Sequence, residues 1–204
     1  MSTVQYETHV TVRTESPAES DRLERCCAVA DLKLTQIMLA RGRTPSQLMV
    51  TAAGARSYAD ERVKARDVVE WLRAQGFEPV RVKIESTTGA PEVPAGPCSD
   101  GQYYEHHVKL VLPPDCDLDT LAVRVVPHGA HLSWNARRAR ADGRHERFVT
   151  QRCRGVGPAG AQAALLLLLE ALDGLEIVEV EQEFVLYDSY LALDEGWIAQ
   201  EVRA

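Results

Sequence analysis

Apolar and polar residues alternate along four short stretches near the start of the chain. Gln5 to Arg13, Leu32 to Leu39, Gln47 to Ala52 and Glu78 to Glu85 read as strands, because every second residue shares a face. Between them the spacing changes. Leu23, Cys26, Cys27 and Ala30 fall on one helical stripe, and Ala65, Val68, Val69 and Leu72 on another. Ser57 is placed to cap the second helix and Gly76 to end it. The order is β-α-β-β-α-β. Residues 87–102 are rich in Pro and Gly and read as a linker. The same order then follows: strands at Glu105–Leu112, Ala130–Ala136, Arg147–Arg152 and Ile177–Tyr187, with one helix on the Leu118, Leu121, Ala122 and Val125 stripe and a leucine-rich one over 161–172.

Sequence recurs along with pattern. Tyr6-Glu7-Thr8-His9-Val10-Thr11-Val12 returns as Tyr104-Glu105-His106-His107-Val108-Lys109-Leu110, with four of the seven residues unchanged. Met49-Val50-Thr51 and Phe148-Val149-Thr150 recur at nearly the same spacing. The expectation is an internal duplication of class α+β: two tandem ferredoxin-like repeats packed as one pseudo-symmetric unit. Lobe one covers 1–86, and lobe two, with a C-terminal tail, covers 103–204.

Alternation also predicts which residues each sheet leaves uncovered by helices. In the first half they are Glu7, His9, Thr11, Lys33, Thr35, Met49, Thr51, Arg81 and Lys83. In the second they are Glu105, His107, Lys109, His131, Ser133, Phe148, Thr150, Arg152, Glu179 and Glu181. These faces are polar and rich in groups that titrate, ligate metals or grip anions, and two such faces packed together form a cleft.

Composition narrows the partners. With 45% hydrophobic and 26% charged residues the chain is that of an ordinary globular protein, and no apolar run is long enough to span a membrane. The formal charge of −7 argues against nucleic acid as a partner. Met1 to Glu7 lacks the pattern of a signal peptide, so a cytoplasmic location is expected. Cys26, Cys27, Cys98, Cys116 and Cys153 are odd in number and lack CxxC spacing, which speaks against a disulfide framework or a thiolate zinc site.

Three chemistries suit the cleft. The first is acid–base catalysis on an anionic, phosphate-bearing small molecule, with His9, His107 and His131 as catalytic candidates. Thr11, Lys109, Ser133, Asn135, Thr150 and Arg152 would be its ligand contacts. His9-Val10-Thr11-Val12 resembles the His-x-Thr-x motif of two-histidine phosphoesterases, which implies a hydrolase. The second copy departs from that motif by placing Lys109 where a hydroxyl belongs, so the family is not assigned. The second chemistry is a binding module, without catalysis, in the same cleft. The third is a transition-metal cofactor on Glu7, His9, Glu105 and His107, whose i, i+2 spacing aims each pair to one side of its strand. The favoured reading has no cofactor. The number of chains in the assembly does not follow from the sequence.

Overall fold

A computed structural model describes residues 5–138 and 140–198. The first four residues, part of the stretch read for a signal peptide, and the end of the tail lie outside them. Twelve main elements run in the order β1 (Tyr6–Arg13), α1 (Pro17–Val29), β2 (Lys33–Leu39), β3 (Ser46–Ala53), α2 (Tyr58–Ala74), β4 (Glu78–Thr87), β5 (Tyr103–Leu112), α3 (Leu118–Val125), β6 (Ala130–Asn135), β7 (His145–Cys153), α4 (Pro158–Ala171) and β8 (Glu176–Asp188). Local chemistry sets the helix starts. The Ser16 hydroxyl accepts from the Glu19 N–H ahead of Pro17, Ser57 accepts from Asp60, and Asp117 accepts from Asp119 and Thr120.

The strands do not build two ferredoxin-like lobes. They close into one antiparallel barrel in the order β1-β3-β2-β6-β7-β5-β8-β4, with β4 back beside β1. The recurrent heptapeptide therefore does not mark two separately folded copies. Its two occurrences, β1 and β5, are staves of the same ring. The physical reason is the fate of the sheet edges. Two separate four-stranded sheets would leave β2, β4, β6 and β8 with unpaired backbone groups, and closure removes every edge. Two seams achieve it: Lys83–Thr87 of β4 against Glu183–Asp188 of β8, and Ile37–Leu39 of β2 against Ser133–Asn135 of β6.

The helices lie outside the ring, and the apolar core lies beneath them. Val10, Val12, Leu48 and Val50 pack with Leu23, Cys27, Val68 and Leu72 in one cluster. Val108, Leu110, Leu132 and Val149 pack with Leu121, Leu165, Leu168 and Leu172 in another. Residues between β4 and β5 fold onto a third cluster, where Ala90 and Cys98 are buried with Tyr6, Tyr104 and Phe184. A Cβ on Gly157 would stand 3.1 Å from the Gly96 carbonyl, so glycine is what lets this stretch lie against the entry to α4. Among the described residues no helix is long and apolar enough to cross a membrane.

Candidate functional site

With alternate side chains committed to the helices, the intervening ones point into the ring. They enclose a cavity of about 400 Å³, in keeping with eight staves leaving room for one small ligand. After β8, a turn at Leu191–Asp194 folds across one end. Asp194 reaches inward to Arg81 (2.9 Å), Arg152 (2.8 Å) and Gln47 (2.8 Å), and the Trp197 indole donates to the Leu132 carbonyl at 3.0 Å.

The lumen has two unlike walls. The adjacent strands β3, β2, β6 and β7 contribute Met49, Ile37 and Phe148, the hydroxyls of Thr35 and Ser133, and two cations, Lys33 and Arg152. The other four strands carry most of the charge. Lys83 Nζ lies 2.5 Å from both Glu85 and Glu105, and Arg152 Nε donates to Glu105 at 2.6 Å. Burial favours neutral carboxyls, but Arg152 and Lys83 override it and hold Glu105 well below the usual carboxylate range. Arg81 is held by Asp188 and Asp194, and Tyr103 donates to Asp188 at 2.8 Å.

Two histidines sit in similar surroundings but are held differently. His9 Nδ1 lies 2.9 Å from Thr51 Oγ1, while Nε2 faces Glu85 at 2.7 Å and Glu7 at 3.3 Å. Burial would lower its pKa; the Glu85 and Glu7 carboxylates reverse that and raise it to about 9. His9 is therefore a fixed imidazolium at neutral pH. His107 Nδ1 lies 3.0 Å from Thr150 Oγ1, but Nε2 is no closer than 3.4 Å to Glu183 and 3.8 Å to Glu105. Its pKa is also raised, against burial, by Glu183 and Glu105. The Thr150 contact orients the ring, and Nε2 is held more loosely, toward Glu183 and Glu105 in the cavity wall.

The remaining residues expected at the site divide. Thr11, Lys109, Ser133, Asn135, Thr150 and Arg152 all line the cavity. The cations among them already have partners: Arg152 has Glu105 and Asp194, and Lys109 stands between Glu146 (3.9 Å) and Glu179 (3.8 Å). His131 is buried outside the cavity lining, near Trp197. There burial and the neighbouring Arg41 and Arg152 push its pKa down to about 4. The four suggested metal ligands do not converge as one set. Among the described residues, Glu85, His107 and Glu183 do, with ligand atoms within 4.8 Å of one another. Glu85 and Glu183 were missed, although the alternation that placed Lys83 and Glu181 inward extends to each by one more step. Asp188, Asp194 and Trp197 lie at or past the end of the last strand, where no periodicity signals them.

No family model matches the chain, and no curated protein matches it. Solved structures give distant likenesses. The regulatory subunit of aspartate kinase from Thermus thermophilus is 14% identical at a TM-score of 0.32, over 84% of this chain and 95% of that one. Chlorite dismutase from Candidatus Nitrospira defluvii in complex with imidazole is 10% identical at 0.29, over 89% and 90%. The acetolactate synthase small subunit from Thermotoga maritima is 13% identical at 0.26, over 87% and 92%. At such scores the likeness carries no argument about this protein.

Proposed function

We propose that the protein is an enzyme acting on a small molecule inside the barrel, with His107 as the proton-transfer group. The supporting observation is the imbalance between the two histidines. His9 is locked between Thr51, Glu85 and Glu7, whereas His107 is anchored on Thr150 through Nδ1 and meets Glu183 through Nε2 only at 3.4 Å. A group held firmly at one nitrogen and loosely at the other can pass a proton to a bound substrate and take it back. The phosphate-bearing substrate expected from the sequence draws less support, because Lys109 and Arg152, the cations expected to grip it, already face carboxylates.

The test is turnover across a panel of small esters, amides, amines and phosphate esters, with product followed by mass spectrometry. His107→Asn is expected to lose at least about a hundredfold in rate, the usual share of a general acid–base group, while keeping the melting temperature. Undiminished turnover in that variant would overturn the assignment. Saturable binding with no product from any substrate class would make the lumen a binding site without chemistry.

A further inference from the structure

We infer that the lumen takes a small organic cation, an ammonium group on an apolar body, seated between Glu181 and Glu183 of β8 and the wall formed by Met49 and Phe148. The inference rests on the lumen being the working site and names the class of molecule that enters it.

The argument comes from comparing two strand pairs of the same barrel. On β1 and β4, Glu7 lies opposite Glu85, His9 opposite Lys83, and Thr11 opposite Arg81. On β5 and β8, Glu105 lies opposite Glu183, His107 opposite Glu181, and Lys109 opposite Glu179. The first pair carries its own cation: the Lys83 ammonium sits against Glu85 and reaches across to Glu105 of β5, with His9 on the other oxygen of Glu85. In the second pair, glutamates stand where Lys83 and Arg81 stand in the first. Glu105 is satisfied by Lys83 and Arg152; among the described residues, the ion pairs of Glu179, Glu181 and Glu183 are those with His107 and with a Lys109 shared with Glu146. Partial burial and the crowding of Glu183, Glu179 and Glu7 raise the pKa of Glu181, which still keeps an exposed surface. The second arrangement has its own ammonium on Lys109, at the position of Thr11, but none opposite its histidine, where Lys83 stands in the first and Glu181 in the second.

The remainder of the cavity favours an organic cation over a bare ion. Met49, Ile37 and Phe148 are half-buried and line a space far larger than one ion fills. The convergent trio Glu85, His107 and Glu183 suits a metal less well, because both oxygens of Glu85 already face cations, Lys83 at 2.5 Å and His9 at 2.7 Å.

Isothermal titration calorimetry with four probes decides the matter: benzylamine, its carboxylate counterpart benzoate, neutral benzyl alcohol, and Zn²⁺ alone. Each is titrated into the unmodified chain, Glu181→Gln and Glu183→Gln, with the His107 ring protons followed by NMR. Benzylamine is expected to bind saturably, to shift the His107 resonances, and to weaken by about tenfold or more in each variant, the cost of one charge-assisted contact. Equal or tighter binding of benzoate or benzyl alcohol overturns the inference, as does benzylamine affinity unchanged in both variants. Binding of Zn²⁺ without benzylamine overturns it in favour of a metal centre and leaves the lumen as the site. If no probe binds or moves the His107 resonances, the lumen reading falls as well.

Discussion

His9 is buried, charged and enclosed by acceptors, so its protonation is coupled to folding. Its folded-state pKa of about 9 lies above the ordinary 6.5. Its contribution is therefore complete below pH 6.5 and declines as the pH rises through about 9. Thermal melts across pH 6 to 10 are expected to fall over that window. His9→Gln should flatten that part of the profile and cost about 3 kcal/mol in urea unfolding near pH 6, the scale for breaking a buried ion pair. An identical pH slope in the variant would assign the decline to another group. This residue also shows what the chain alone reveals. Alternation on a single strand is enough to turn His9 and His107 to the same side as Thr11 and Lys109. The company each histidine keeps depends on β3, β4, β7 and β8, whose register is set by strand pairing around the ring.

At the scale of elements, the segment after β8 works as a stopper. Its turn carries no periodicity, and its role comes from one carboxylate between two guanidiniums. Asp194→Ala leaves Arg81 and Arg152 each short of a partner in a buried place. The expected loss is about 3 kcal/mol by urea denaturation, and Asp194→Asn should lose less because its amide oxygen still accepts a hydrogen bond. Burial pushes the Asp194 pKa up, but Arg152 and Arg81 prevail and hold it below 3.8. The advantage of aspartate over asparagine is thus full above pH 3.8 and fades as the pH falls through the folded-state value. Equal stability of Asp194→Asn and the unmodified chain at pH 7 would contradict this account. The order of helices and strands was legible because it is written in local spacing. Closure was not, since hydrogen bonds between β4 and β8 leave no periodic mark on either.

For the whole molecule, closure makes the halves interdependent. Neither 1–86 nor 103–204 can satisfy the edges of β2 and β4, or of β6 and β8, by itself. The chain is expected to unfold in one transition, with far-UV circular dichroism and the fluorescence of Trp71 and Trp197 changing together. The two pieces expressed separately should lack a cooperative melt. Separated transitions, or a folded isolated half, would mean that the seams add little. The same dependence helps explain why the polar strand faces are tolerable: Lys83 reaches Glu105, and Arg81 reaches Asp188 and Asp194, only once the other half is in place.

The seams are unequal, and they lie on opposite sides of the ring. On the charged side, β4 and β8 are laced from Lys83 to Thr87 and reinforced by the Arg81–Asp188 pair; on the apolar side, β2 and β6 pair from Ile37 to Leu39, with one backbone hydrogen bond beyond each end, Ala136 to Gln36 and Ala40 to Leu132. A hoop with one strong joint and one short one behaves like a spring clasp. Under internal pressure it gives first at the short joint, and the ionic side stays shut as the backstop. A guest wider than the resting bore would therefore be accommodated by parting β2 from β6, and the clasp would recoil behind it.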